Sequence, residues 1–486
     1  MPAVIECRRR IVALRPDDPA ALGELLVTLH YSPDYSPGQL LEEHREWSRR
    51  FERPIVAKAG RHARCAGARD RRLRVGYVSG DFREHPAARF VLPVLRAHDR
   101  ERVQVVCYSD VGRPLASGAA TKADRQTERF REAADLWRES AGWSDERLAE
   151  AVRADAIDVL VDLAGHLDSR RLTAFALRPA PVQVGYFGYP GTTGTSCIDY
   201  RITDQWHDPP PLAASQIGHA ESPIVGGAHP VCDAASGDQR AFPHLLTIAS
   251  AQGGPADVTG GTSGAFRNET VIRIPGGCWC YDPREDAVEP VTGLPAQSRG
   301  YVTFAAFNRL IKVTPSMGRL WAEVLERTPG SRLAVVAPEG EGGDRAAAEL
   351  LCRYGIDPGR LIVLPRRPRR EYLAFFNGVD VALDTFPYAG MTTTCDALWM
   401  GVPTVTQAGD RYVARTGTSL LSAAGLPQLI AHSPDEYVDK AVRLANDPER
   451  LGSLRSGLGD QVRRSALGNA GRVARALEAA YHSMSK

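Results

Sequence analysis

The chain has 486 residues, enough for two or three domains of about 150 residues each. Its 60 Lys and Arg against 58 Asp and Glu leave a net charge of +2, with 43% apolar and 24% charged residues. That mixture excludes a generally basic nucleic-acid binder and an acidic tail protein, and no apolar run approaches the roughly 20 residues a membrane helix needs.

Two antiparallel helices are expected first, over 17–31 and 37–52. Asp17-Asp18-Pro19 and Ser36-Pro37 each place a capping side chain ahead of a first-turn proline. Leu40, Leu41, His44, Trp47 and Phe51 then share one face of the second helix. The pair suits either the end of a helical-repeat array or a helical lid on the next domain. His44 reads as a packed helix residue rather than a ligand. This gives a helical stub over 1–60 and a basic linker over 61–72. Residues 1–16 carry Arg8–Arg10 but no apolar core or cleavage site, unlike a secretory signal.

Strand–helix alternation begins at 73. Continuous apolar strands are expected at 73–79, 103–108 and 157–163, with a helix at about 145–154. After residue 300 the rhythm resumes, with strands at 301–305, 332–337, 361–364, 379–384 and 403–406. A helix at 315–327 turns Met317, Leu320, Trp321, Val324 and Leu325 inward. Apolar runs separated by helices imply parallel sheets covered on both faces, here two doubly wound α/β domains in series with a crevice between them. Their bounds are 73–208 and 268–486. Between them, 209–267 is rich in Pro, Gly, Ala and Ser without periodicity and reads as an irregular insertion.

The chemistry is narrowed partly by missing motifs. No Gly-x-Gly-x-x-Gly follows the first strand of either sheet, there is no phosphate-cradling Walker loop, and no Gly-x-Ser-x-Gly. No Asp-x-Asp pair offers to hold a divalent ion on a nucleotide sugar. Cys278-Trp-Cys280 lacks the partners a zinc site requires. The nine cysteines are scattered, a pattern that fits reduced thiols in the cytoplasm. What remains is a set of strand-end loops. Gly188–Gly194 is a glycine- and threonine-rich turn after the apolar run 182–187. Gly390-Met391-Thr392-Thr393-Thr394 precedes a helix of about 392–400, and a helix start with free amides and hydroxyls is an anion site. Lys312 follows Phe307-Asn308-Arg309 and stands just before the helix at 315, where its ammonium could neutralise a diphosphate.

The segments LRVGYVSGDFREHPAARF (73–90), DVLVDLAGH (158–166), FALRPAPVQVGYFGYPGTTG (175–194), DYRITD (199–204), FAAFNRLIKVTP (304–315), DVALDTFPYAGMTTTCDALWMGVPTVT (380–406) and GDRYVARTGTSLL (409–421) closely resemble the SPINDLY-like, protein O-GlcNAc transferase family. The stub LRPDDPAALGELLVTLHYSPDYSP resembles the end of that family's tetratricopeptide region. The resemblance spans 10–208 and 268–486, with the motifs in order. It implies a GT-B fold, two Rossmann-like domains facing a crevice behind a short tetratricopeptide-like segment, and an inverting, metal-independent transferase. By resemblance Lys312 is the diphosphate-binding lysine, Thr392 and Thr393 are the helix-start threonines on the phosphates, and Asp396 is the ribose-contacting acid. His85 is the active-site histidine near the reacting sugar, and Gly191 and Thr192 lie in the donor-side turn. Asn308, Arg309, Tyr372, Gly390 and Met391 complete the donor-binding set. Four positions depart from many relatives: Tyr372 replaces His, Arg309 replaces Gln or Asn, Ala389 replaces Asn, and Met391 replaces Thr or His.

The resemblance implies transfer of N-acetylglucosamine from UDP-GlcNAc to Ser or Thr hydroxyls of a protein acceptor, with no cofactor beyond the donor and no nucleic-acid or membrane partner. Two alternatives stand beside it: a protein O-fucosyltransferase using GDP-fucose, and a donor-dead binding module derived from tetratricopeptide repeats.

Overall fold

The computed structural model describes residues 1–59, 71–114, 121–167, 171–209, 247–249, 268–283 and 288–485. The chain opens with helices Pro2–Leu14, Pro19–Leu29 and Pro37–Trp47, then a widened turn Ser48–Glu52 and helix Arg53–Ala59. Asp18 accepts the Ala20 amide at 2.8 Å, and Ser36 and Gln39 close a reciprocal capping box, which is why two helices begin where the sequence expects them. Leu22, Leu25, Leu26, Leu29, Leu40 and Trp47 form the buried face. The first helix was not foreseen. It has no side-chain cap and buries only Ile5, so it carries little local signal.

The first sheet comprises β1 (Leu73–Ser79), β2 (Val103–Ser109), β3 (Leu136–Glu139), β4 (Val159–Asp162), β5 (Val182–Gly185), β6 (Tyr200–Thr203), β7 (Thr247–Ala249) and β8 (Thr270–Arg273). Their order is β3-β2-β1-β4-β5-β6-β8-β7, parallel except for the antiparallel pair β7–β8. The second sheet comprises β9 (Thr303–Ala306), β10 (Arg332–Val336), β11 (Leu361–Leu364), β12 (Val381–Leu383), β13 (Thr404–Gln407) and β14 (Ile430–Ala431), all parallel, in the order β11-β10-β9-β12-β13-β14. Central strands β4, β9, β12 and β13 are buried along their whole length, as covered parallel strands must be. In each sheet the order reverses beside the first strand, between β1 and β4 and between β9 and β12. Loops leaving the carboxyl ends of strands at such a reversal open a crevice.

Three expected boundaries are corrected. The second lobe does not begin at 268. Strand β8 pairs with β6 over Tyr200–Thr203, so it extends the first sheet, and Ile274, Cys278, Trp279, Cys280 and Tyr281 continue from it into the core between the lobes. The far end is not confined to the second lobe either. Helix Ala470–Met484 crosses back onto helix Ala88–Ala97, with the Tyr481 hydroxyl 3.3 Å from Tyr77 and Glu478 2.8 Å from His98. Within 209–267, Thr247–Ala249 is a strand rather than irregular chain; the expectation for 210–246 and 250–267 lies outside the described residues, as does that for most of the 61–72 linker. At its end Arg71 pairs with Asp158 at 2.7 Å. Helix Pro315–Glu326 buries Met317, Trp321, Val324 and Leu325 as expected, while Leu320 is half-buried. Among the described residues, no helix is long and apolar enough to cross a membrane.

Candidate active site

The switch point of the second sheet gathers most of the expected donor-binding residues. Strand β9 runs out through Asn308 and Arg309 into a short turn Leu310–Lys312, and Thr314 then caps helix Pro315–Glu326 by accepting the Met317 amide at 3.2 Å. Strand β12 is followed directly by Asp384, whose loop leads to helix Thr392–Trp399. Asp384 Oδ1 accepts the amides of Gly390 (2.6 Å) and Thr385 (2.8 Å), and Oδ2 accepts the Thr406 hydroxyl (2.8 Å). The Asn308 side-chain amide reaches Asp384 at 3.3 Å, and Thr393 Oγ1 donates to Asn308 Oδ1 at 2.8 Å. Burial pushes the Asp384 carboxyl up, against the pull of these donors and of Lys312. Asp384 thus sets the course of the loop, and Gly390 is required within it: a Cβ there would stand 2.6 Å from Thr393 Oγ1 and 2.7 Å from Thr394 Oγ1.

Lys312 lies against this loop. Its ammonium donates to the Ala389 carbonyl at 2.9 Å and stands 4.3 Å from the centre of the Tyr388 ring. Burial lowers its pKa to about 8, partly opposed by Asp384. Tyr388 in turn stacks on Tyr31 of the helical segment, with ring centres 4.4 Å apart and planes 14° apart. At the following helix start, Met391 is the cap position and makes no side-chain cap. The first amides of Thr392–Trp399 are therefore open to an anion, with the half-buried hydroxyl side chain of Thr392 at the first position. Arg309 is exposed.

Asp396, one turn into that helix, is fully buried. Its carboxylate accepts from both terminal nitrogens of Arg369, with Nη1 at 2.6 Å from Oδ2, and from the Tyr281 hydroxyl. This acid therefore ties helix Thr392–Trp399 to helix Arg369–Phe375 and to the segment after β8. Tyr372 projects from the same Arg369 helix, its ring 6.0 Å from Phe307 and 5.6 Å from Phe376, and forms an aromatic wall beside Asn308.

On the first lobe, His85 sits in the loop between β1 and helix Ala88–Ala97. Its Nδ1 accepts the Ala87 amide at 3.3 Å and lies 3.7 Å from Asp81. Burial lowers the pKa of this ring, with Asp81 opposing. Gly191 and Thr192 are placed differently from the Lys312 group. They line a separate cavity shared with His30, Arg201 and Arg411, and Thr192 Oγ1 donates to Glu269 at 2.6 Å. Beside them the helical segment docks through His44, whose Nδ1 donates to the Leu40 carbonyl and whose Nε2 accepts the Tyr189 hydroxyl, both at 2.5 Å. Both bonds use the neutral ring, and burial pushes the His44 pKa down to about 4.

The structure therefore brings Lys312, Asn308, Gly390, Met391, Thr392 and Thr393 to one switch point, with Tyr372 and Asp396 behind it. Sequence reasoning missed Asp384, Tyr388 and Tyr31. An acid closing the short apolar run 381–383 was a usable signal for Asp384; nothing local marks the two tyrosines, which matter through each other.

The description "glycosyl transferase family 41" matches residues 54–220 and 291–477. The chain is 33% identical over 476 residues to the tomato protein named "probable UDP-N-acetylglucosamine–peptide N-acetylglucosaminyltransferase SPINDLY", covering 96% of this chain and 44% of that one. It is 34% identical to the Arabidopsis thaliana SPINDLY protein, covering 97% and 45%. The chain thus spans under half the length of these curated relatives. A solved O-GlcNAc transferase from Thermobaculum terrenum, a lysine-to-methionine mutant, superposes with a TM-score of 0.80 at 32% identity, covering 99% of this chain and 80% of that one. With its two doubly wound lobes this is a GT-B fold, and the chain belongs to glycosyl transferase family 41.

Proposed function

We propose that the protein transfers N-acetylglucosamine from UDP-GlcNAc to Ser or Thr hydroxyls of a protein acceptor, with inversion and without a metal ion. The observation that carries this reading is the convergence of a half-buried ammonium, Lys312, and an uncapped helix start, Thr392–Trp399, on one loop held by Asp384. The relatives' names, which specify UDP-N-acetylglucosamine and a peptide, support the donor and acceptor class.

In this reading the acceptor oxygen attacks the anomeric carbon, the bond from that carbon to the diphosphate oxygen breaks, and the nucleoside diphosphate leaves. Negative charge grows on the leaving oxygen, and Lys312 with the amides of the helix start stabilises it where water is excluded. A diphosphate beside Lys312 raises the pKa of its ammonium again, so binding takes up a proton above pH 8. Asn308 and Thr393 support the phosphate loop, and Tyr372 offers a ring on which a base can stack. Asp396 reaches a ribose only in competition with Arg369. His85 acts as an orienting group: with Nδ1 accepting the Ala87 amide, the neutral ring carries its proton on Nε2 and donates to the substrate. The dispersed cysteines support a reducing compartment, the cytoplasm, as its location.

The test is transfer of labelled sugar from UDP-GlcNAc and from GDP-fucose to protein acceptors, with calorimetry of UDP and GDP. Transfer from UDP-GlcNAc that persists in EDTA supports the reading. Transfer from GDP-fucose alone replaces the donor, and no binding of either nucleotide leaves the donor-dead module.

A further inference from the structure

A second cavity lies where the helical segment, the loop after β6 and the loop after β13 meet. It is small, with about 60 Å³ of space for a ligand's atoms, and opens to solvent; His30, Gly191, Arg201, His207, Arg411 and Arg415 line it. Its walls hold buried nitrogen donors without acceptors. Arg201, 8% exposed, gives one terminal nitrogen to Asp208 at 2.5 Å, while its Nε and Nη1 have no partner. The Tyr412 ring fixes the plane of this guanidinium at 4.5 Å, and Asp208 is shared with Arg273 at 3.8 Å. His30, 4% exposed, has no partner on either ring nitrogen, whereas His207 donates from Nε2 to the Tyr412 carbonyl at 2.9 Å, which leaves its Nδ1 an acceptor.

The neighbouring arginines spend most of their donors on uncharged carbonyls, with Arg411 Nε reaching the exposed Asp410. Arg411 Nη1 donates to Ser32 at 2.9 Å, and Arg415 donates from Nε to Trp206 at 2.8 Å and from Nη1 to Gly409 at 3.1 Å. The nearby acids do not fill the space. Both oxygens of Glu269 are taken by Thr192 and Thr193, and Asp410, 3.4 Å from Arg411 Nε, is 67% exposed. Asp204 accepts the Trp206, His207 and Cys278 amides and the Ser419 hydroxyl.

Buried polar groups in native proteins are normally partnered, and a guanidinium with an unfilled edge matches the two oxygens of a carboxylate or phosphate. We infer that this cavity is a binding site for a small oxyanion, a carboxylate or phosphate group, separate from the diphosphate site at Lys312. Such a group would meet the guanidinium of Arg201, in a cavity that Arg411, Arg415 and His30 also line.

The experiment is calorimetry of inorganic phosphate and of malonate on the full chain. It is run on the wild type, on Lys312→Ala to disable the proposed diphosphate site, and on Arg411→Gln/Arg415→Gln. A further variant, Pro37→Glu, puts a carboxylate at the cavity wall in the first turn of a helix, where acids are tolerated. The expected result is equal affinity in wild type and Lys312→Ala, and a loss of about tenfold or more in the double arginine variant. Pro37→Glu weakens binding with an unchanged melting temperature, which keeps the test decisive if the arginine variant folds poorly. Absence of binding to the wild type, or binding abolished by Lys312→Ala and untouched by Pro37→Glu, overturns the inference. Phosphate that competes with the protein acceptor assigns the oxyanion to an acidic group of the acceptor; phosphate that binds without competing assigns it to a free small molecule.

Discussion

The loops of the second lobe and the interface under the helical segment both bury ionisable groups, and they do so in opposite ways. Around Lys312 the polar groups answer one another: Asp384 gathers two amides, a hydroxyl and Asn308, while the ammonium rests on a carbonyl and an aromatic face. Under the helical segment, aromatic rings pack against one another, with His44 and His166 at 5.4 Å and His166 and Tyr189 at 5.1 Å, and Arg201 keeps unfilled donors. The first arrangement stabilises charge and the second depends on its absence or on a ligand that supplies it. Burial lowers the pKa of both Lys312 and His44, yet only Lys312, at about 8, stays mostly protonated at neutral pH.

The contrast is broken most directly at Lys312. Lys312→Ala should lower turnover by about 10²–10³-fold, or ~3–4 kcal/mol of transition-state stabilisation, while shifting stability by under about 1 kcal/mol. Turnover with UDP-GlcNAc and melting with and without UDP, on the same variant, check it; full turnover with an unchanged UDP-induced rise in melting temperature would place the diphosphate elsewhere.

Acid should break the other wall. The His44 pKa is near 4 in the folded chain against about 6.5 unfolded, so between those values the unfolded state binds more protons and stability falls as the pH falls. His44 stabilisation is complete above pH 6.5 and declines by about 3 kcal/mol toward pH 4. His30 and His207, also lowered by burial, act in the same sense. Urea unfolding at pH 7 and pH 4.5 measures this, and a flat profile would show that the ring cluster does not stay closed.

Asp384→Asn sharpens the comparison by changing one atom of the organised wall. Four donors converge on the carboxylate, and an amide has a single acceptor oxygen, so at least one loses its partner. The expected cost is about 1–3 kcal/mol in stability, with weaker UDP binding because the phosphate loop loosens. UDP affinity equal to wild type would remove Asp384 from the site.

The smallest effect is a proton. UDP binding at pH 8.5 should take up a fraction of one proton, and affinity should fall as pH rises through 8. Calorimetry in two buffers of different ionisation enthalpy reads it, and Lys312→Ala should abolish it.

Much of this was legible before the fold was seen. Strands β1, β4, β9 and β12 stood out because covered parallel strands are continuous apolar runs. Lys312, Thr392 and Thr393 stood out because they sit where strand-end loops meet helix starts. Strand β3 did not, since Leu136–Glu139 is a partly exposed edge strand carrying Arg138 and Glu139, and β14 has only two residues. Gly191 and Thr192 were grouped with the donor loops by their motif, yet they line the cavity beside His30. Asp396 was read from the motif as a ribose contact, and the structure adds the Arg369 and Tyr281 partners that no local pattern announces.

By itself the sequence determined the alternation of elements, the two doubly wound sheets and the placement of glycines, threonines and a lysine at strand ends, because these depend on periodicity and capping within a few residues. Only the tertiary structure decided which of those residues share a space: that β8 returns to the first sheet, that helix Ala470–Met484 crosses back onto it, that Tyr31 stacks on Tyr388 beside Lys312, and that Arg201 is buried with donors unfilled. Each of these is a contact between distant parts of the chain, set by which apolar faces and unpaired edges close on one another, and no local pattern contains that information.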